Sequence, residues 1–183
     1  SLPKDVIHRI LDACRSLSAG VPVLCGFHHI YYPENDNAAM QHEIQRYYRN
    51  PQVVPYDDLY AVDEPILKVA LCDTNGPTKE AYPVMHEALG NAYELLISGD
   101  CWMDIMCKGV TKGAALQGLQ ERMGITPAET MAFGDYDNDI SMLQHAEFSY
   151  AMENASERVR QQAKHIAPAN TKNGVVRVLC ETL

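Results

Sequence analysis

The chain has 183 residues, with 15 basic and 24 acidic side chains and a formal net charge of −9. That length supports one domain, or two small ones, with a hydrophobic core. No apolar run is long enough for a transmembrane helix, no signal-peptide pattern is present, and acidity concentrated in residues 1–108 argues against a nucleic-acid groove. We therefore expect a globular protein that binds neither a membrane nor a nucleic acid.

Six cysteines occur along the chain, and no two of them form a CxxC pair. Most of them lie in apolar, periodic stretches, which favours buried free thiols over a disulfide framework or a zinc site. Reduced thiols are typical of cytoplasmic proteins. The expected location is therefore the cytoplasm.

Residues 1–108 mix hairpin strands with helices, which is an α+β pattern. Apolar periodicity predicts helices at 4–17, 37–48 and 79–89, and strands at 21–27, 66–72, 93–98 and 102–107. Residues 28–32 either continue the first strand or form a second one. Residues 49–65 carry three prolines and are interpreted mostly as a connection, and Asp73 to Thr78 as a turn.

Residues 109–183 show a regular alternation of helix and strand instead. The predicted helices lie at 112–123, 139–146, 156–163 and 173–183, and the predicted strands at 129–133, 148–152 and 165–167. Such an alternation implies a parallel sheet. We therefore expect an α/β fold with two domains, 1–108 and 109–183.

Between strand 129–133 and the next helix lies an acidic loop, Gly-Asp-Tyr-Asp-Asn-Asp at 134–139. Ligands bind at the carboxyl ends of strands in open α/β sheets, and clustered carboxylates favour a hard cation such as Mg²⁺. A simpler interpretation is a helix cap with solvated acids. A calcium EF-hand is rejected, because Ile140 stands where the loop needs Gly and Ala146 where it needs Glu.

Lys112 begins a predicted helix about twenty residues before this loop. A lysine at the positive end of a helix is unfavourable unless an anion lies nearby, and such a helix start binds phosphate well. The alternative is a solvated lysine in a loop. Together with the acidic loop, however, Lys112 indicates a metal-assisted phosphoryl-transfer site.

The motifs of residues 109–183 resemble those of the haloacid dehalogenase superfamily, specifically its Cof-type phosphatases. They are Gly-Val-Thr-Lys-Gly (109–113), Phe-Gly-Asp-Tyr-Asp-Asn-Asp-Ile-Ser-Met-Leu (133–143), Ala-Met-Glu-Asn-Ala (151–155) and Asn-Gly-Val (173–175). The resemblance implies that these residues form the C-terminal part of a Rossmannoid core. It also implies that residues 1–108 are an α+β cap domain.

The resemblance further implies Mg²⁺-dependent hydrolysis of a small phosphorylated metabolite through an aspartyl-phosphate. It casts Lys112 as the catalytic cation, Asp135 as a metal ligand, Asp139 as a metal or outer-sphere carboxylate, and Asn138 as a substrate contact. Asp137 is expected to be solvated, and Asn154 to cap the helix that begins near Ser156.

One motif of that family, the DxDGT nucleophile segment, is absent from the chain. Asp73-Thr74-Asn75-Gly76 is only superficially similar, because Asn stands at its third position. We therefore expect the N-terminal nucleophile segment to be missing and the chain to be inactive alone. A second copy or the missing segment would then cover the sheet edge beside strand 129–133. The alternative is a non-catalytic remnant that acts as a binding or assembly module.

Overall fold

The computed structural model describes residues 1–77 and 79–182. The chain forms two compact units, the first from Ser1 to Lys108 and the second beginning at Gly109. The turn is predicted to end at Thr78 and the last helix at Leu183, and both of these residues lie outside the described ranges. Within the described ranges, no helix is both long and apolar enough to cross a bilayer.

The first unit is built on a six-stranded sheet. Its strands are β1 (Val21–Gly26), β2 (Ile30–Pro33), β3 (Gln52–Val54), β4 (Ile66–Cys72), β5 (Tyr93–Ile97) and β6 (Trp102–Cys107). Their spatial order is β3-β2-β1-β4-β6-β5. Neighbouring strands are antiparallel except β2 and β3, which are parallel.

Helices cover both faces of this sheet. They are α1 (Lys4–Cys14), α2 (Ala38–Tyr47) and α3 (Ala81–Leu89). Side chains alternate between the faces along β4, so Val69 and Leu71 join the core under α1 and α3, while Ala70 and Cys72 join the core under α2. The unbroken apolar run from Val69 to Cys72 in β4 therefore follows from burial on both sides.

The connection expected at 49–65 contains more structure than its prolines indicate. It holds β3 and a 3₁₀ turn, Tyr56–Ala61, whose Leu59 is buried in the core under α1. Pro51 and Pro55 lie just outside β3, where their missing N–H groups cost no ladder bonds. Residues 30–33 form a second strand rather than an extension of β1.

The second unit contains a three-stranded parallel sheet, as the alternation predicts. Its strands are β7 (Met131–Gly134), β8 (Phe148–Met152) and β9 (His165–Ala167), in that spatial order. Its helices are α4 (Lys112–Met123), α5 (Ile140–Gln144), α6 (Glu157–Arg160) and α7 (Gly174–Thr182). The first three pack on one face through Leu116, Leu143 and Val159, and α7 packs on the other through Val178.

Candidate functional site

The start of α4 packs directly against α5. A Cβ atom on Gly113 would lie 2.5 Å from the carbonyl oxygen of Ser141, so only glycine permits this approach. The Gly113 N–H donates to Ser141 Oγ at 3.1 Å, and the Ala114 N–H donates to Thr111 Oγ1 at 3.1 Å. These two N–H groups are therefore already occupied, and the half-exposed side chain of Lys112 is the cationic group at this helix start.

Asp139 connects Lys112 to the acidic loop. It ends a 3₁₀ turn, Asp137–Asp139, and is only 4% exposed. Its Oδ1 accepts a hydrogen bond from Lys112 Nζ. Its Oδ2 accepts the N–H of Asp135 at 2.9 Å and the N–H of Tyr136 at 3.1 Å. One buried carboxylate thus orients the lysine and the loop together, and the ammonium and amide donors stabilise its charge.

Gly134 makes this arrangement possible. A Cβ at residue 134 would lie 2.5 Å from the Cβ of Asp139, so a side chain there would push the carboxylate away from the loop. The strand therefore ends in glycine because Asp139 must fold back against it.

Asp135 has a partner that the sequence interpretation missed. Its Oδ2 accepts a hydrogen bond from Asn154 Nδ2 at 3.2 Å, and Asn154 Oδ1 accepts the N–H of Asn170 at 3.2 Å. The expectation that Asn154 caps α6 is wrong, because Ser156 is the cap and its Oγ accepts the Val159 N–H. The position of Asn154 just after β8 was the available signal, since neighbouring parallel strands end at one edge.

The two remaining polar residues of the loop differ in environment. Asn138 Oδ1 is buried and accepts no hydrogen bond within the part of the chain that the structure describes. Asp137, expected to be solvated, accepts a hydrogen bond from Arg158 Nη1 at 2.8 Å, and its side chain is 33% exposed. A buried amide oxygen without a donor is costly unless a cation or ligand meets it.

These oxygens fit a Mg²⁺ site in part. Mg²⁺ keeps several waters and needs only one or two carboxylates beside a phosphate. Asp135 Oδ1 accepts no hydrogen bond from residues 1–77 or 79–182, and Asn138 Oδ1 lies in the same loop. Both oxygens of Asp139 are occupied, one by an ammonium. The described residues contain no cluster of three or more His, Cys, Asp or Glu side chains suited to a metal. Metal binding by Asp139 stays a prediction.

Residues 1–179 match the family model described as haloacid dehalogenase-like hydrolase. The chain belongs to this family. The resemblance read from the four motifs is thereby confirmed, together with the α/β fold class.

Two curated relatives and one solved structure illustrate the similarity. The 5-amino-6-(5-phospho-D-ribitylamino)uracil phosphatase YbjI of Escherichia coli is 30% identical over 182 residues, which cover 100% of this chain and 66% of the relative. The Bacillus subtilis protein YitU, named as a phosphatase of the same compound, is 27% identical over 99% of this chain and 67% of its own length. The crystal structure of SMU.1108c from Streptococcus mutans is 27% identical with a TM-score of 0.85, covering 98% of this chain and 67% of that one. The chain thus spans about two thirds of the length of these relatives.

Asp73 lies in the first unit, in a turn after β4, as expected. Its Oδ1 accepts the N–H of Asn75 at 2.9 Å, and its backbone oxygen accepts the N–H of Gly76 at 3.0 Å. Both of these contacts are local, while the backbone N–H of Asp73 donates to the Cys101 oxygen at 2.8 Å and so extends the sheet. Asp73 therefore has a structural role in the turn.

The aromatic and histidine residues of the first unit were expected either to line a pocket or to pack. They are His28, His29, Tyr31, Tyr32, Tyr47 and Tyr48. Tyr31 Oη donates to Glu64 at 2.7 Å, and the Tyr48 ring packs edge-on against Trp102. Tyr32 and Tyr48 also line an open groove of about 510 Å³. Both interpretations therefore apply, and Tyr48 does both.

Proposed function

We propose that this family member is a Mg²⁺-dependent phosphatase that acts on a small phosphorylated metabolite. The observation that carries the proposal is the contact between Lys112 and Asp139. The loop that contains Asp139 also holds the side-chain oxygens of Asp135 and Asn138. An ammonium at a helix start beside oxygen ligands for a hard cation suits metal-assisted phosphoryl chemistry.

Lys112 binds the phosphoryl oxygens in this proposal. An ammonium has three donors, and Asp139 accepts from one of them. The Lys112 side chain is 50% exposed, so its other donors are accessible to an incoming phosphate. Asp139 acts on the phosphate only through Lys112, as a positioning residue.

Asp135 and Asn138 would hold Mg²⁺, with Asn154 orienting Asp135. When bound, the ion supplies positive charge that offsets the charge of the phosphoryl oxygens. Lys112 fixes the phosphate in this proposal, and Asp139 holds the acidic loop against Lys112.

The substrate proposed for the first test is 5-amino-6-(5-phospho-D-ribitylamino)uracil. The support is that the relatives YbjI of Escherichia coli and YitU of Bacillus subtilis are named as phosphatases of this compound. We further propose that these 183 residues alone release phosphate slowly. The support is that these 183 residues contain no DxDGT nucleophile motif, while the buried Asp139 carboxylate is held by Lys112 and by the loop N–H groups.

Binding and turnover are tested separately. Calorimetric titration of the chain with inorganic phosphate should give binding that Lys112→Ala weakens about tenfold or more, because a charged donor contributes ~1.5–3 kcal/mol. Lys164→Ala, an exposed lysine of the same unit paired with Glu147, is the matched control and should change nothing. Equal phosphate binding by the Lys112→Ala variant and the unaltered chain would refute the assignment.

Turnover is measured as phosphate released from the proposed substrate in the presence of Mg²⁺. Slow release by the chain alone is expected. Rapid release that Lys112→Ala abolishes would overturn the slow-turnover proposal while supporting the site itself.

A further inference from the structure

The two edges of the six-stranded sheet are built differently. Edge strand β3 has three residues and lies between Pro51 and Pro55. Edge strand β5 has five residues, Tyr-Glu-Leu-Leu-Ile, without proline, lysine or bulge. Short length, proline and lysine are the usual devices that keep an edge strand from pairing with another chain. The β3 edge has two of these devices, and β5 has none.

The backbone of β5 presents unpaired groups on its outer side. The Ser98 N–H donates to the Trp102 oxygen at 3.0 Å, directly across from β6. Because backbone groups alternate in an antiparallel pair, Leu96 and Glu94 also face β6, while Tyr93, Leu95 and Ile97 face away. Within the described ranges, no strand pairs with that outer side.

The side chains of β5 form an apolar and nearly neutral surface. Tyr93, Leu95 and Ile97 pack partly buried against the core under α1 and α3. On the opposite face, Glu94 Oε1 lies 3.6 Å from Lys108 Nζ, so its charge is compensated within the chain. Electrostatic repulsion therefore does not protect this edge.

We propose that β5 is an assembly edge that pairs with β5 of a second copy of this chain, antiparallel about a twofold axis at Leu95. Tyr93 then lies opposite Ile97 of the partner subunit, and the outward groups form ~6 inter-strand hydrogen bonds. Glu94 lies opposite Leu96 of the partner subunit, so no like charges face each other across the pair. This charge pattern is why a second copy is the occupant proposed.

The dimer expected from such an edge is weak. One strand pair buries less than the ~1,600 Å² of a standard interface. Each copy carries a net charge of −9, which opposes association, so added salt should strengthen the dimer.

Sedimentation equilibrium of the 183-residue chain tests the self-association and its register. Leu96→Glu sets a carboxylate opposite Glu94 of the partner subunit and should weaken the dimer about tenfold, since two symmetric repulsive pairs add ~1–2 kcal/mol. Leu96→Lys sets an ammonium there and should retain the dimer. Val53→Glu, at a half-exposed position of the other edge strand, β3, is the matched control and should leave association unchanged.

Amide hydrogen exchange resolved by NMR tests the same pairing without a substitution. Raising the protein concentration should protect the N–H groups of Tyr93, Leu95 and Ile97, whereas those of Glu94 and Leu96 should be protected at every concentration. A monomer at all concentrations would overturn the proposal. So would a dimer that leaves the three outward amides unprotected, for example one that protects β7 instead.

Discussion

Two aspartate turns follow buried strands in this protein, one in each unit. Asp73 follows β4, and Asp135 follows β7. Among the described residues, the Asp73 carboxylate contacts only its own turn, through the N–H of Asn75, while its backbone N–H donates to the Cys101 oxygen at 2.8 Å as an extension of the sheet. The second turn is held by α4 through Lys112 and by the loop after β8 through Asn154. An aspartate after a strand therefore indicates a turn, and only side-chain partners from distant elements make it a candidate site.

The largest effect should come from Asp139→Ala, which removes the carboxylate that joins Lys112 to the loop. Truncation leaves two loop N–H groups without an acceptor and removes the charge partner of Lys112. The free energy of unfolding of the second unit should therefore fall by about 3 kcal/mol. Urea unfolding measures this. Asp137→Ala, at a more exposed ion pair, should cost under ~1 kcal/mol. If Asp73→Ala destabilises the protein as much as Asp139→Ala, the contrast between the two turns fails.

Asp135→Asn should come next, through metal binding rather than folding. Removing the charge of a loop carboxylate whose Oδ1 accepts no hydrogen bond from the described residues should weaken Mg²⁺ binding about 100-fold, or ~2.7 kcal/mol. Calorimetric titration with Mg²⁺ measures it, and Asp137→Asn is the control. Unchanged Mg²⁺ affinity in the Asp135→Asn variant would exclude this residue as a ligand.

Asn154→Ala should have a smaller effect of the same kind. Losing the amide that orients Asp135 should weaken Mg²⁺ binding about tenfold, the lower end for a group that supports a ligand. Asn170→Ala keeps the backbone N–H that Asn154 accepts and serves as the control. An Mg²⁺ titration curve identical to that of the unaltered chain would show that Asp135 needs no such support.

The smallest effect should be found at Glu64, a carboxylate that holds a turn in the first unit. The His28 N–H, at 2.6 Å, and the Tyr31 hydroxyl, at 2.7 Å, donate to it and lower the pKa of Glu64 to about 2. Because the ordinary pKa is 4.5, this stabilisation is complete above pH 4.5 and is lost as the pH falls toward 2.

Urea unfolding of the first unit between pH 6 and pH 2.5 tests the prediction. The midpoint of the Glu64→Gln variant should fall less steeply with acid than that of the unaltered chain. Parallel curves would mean that the carboxylate does not stabilise the turn.

Most secondary structure could be predicted from side-chain pattern. Strands 66–72 and 148–152 and the helix at 112–123 agree with the structure at both ends, because a continuous apolar run or a 3.6-residue period leaves few alternatives. β3 was missed because three residues between prolines, two of them exposed, carry no such pattern. The predicted helix 139–146 is shorter, Ile140–Gln144, because a 3₁₀ turn that places Asp139 precedes it.

The sequence by itself determined the family, the parallel sheet of the second unit, and the candidacy of Lys112, Asp135, Asn138 and Asp139. Residue types at fixed spacing were sufficient for that, since each motif is local. Only the tertiary structure decided how the oxygens are used: Asp139 is shared between Lys112 and the loop, while Asp135 is held by Asn154. The reason is physical, because a carboxylate's role depends on which donors reach it. The side-chain donors that decide it here, Lys112 and Asn154, lie 27 and 19 residues along the chain from the carboxylates they reach.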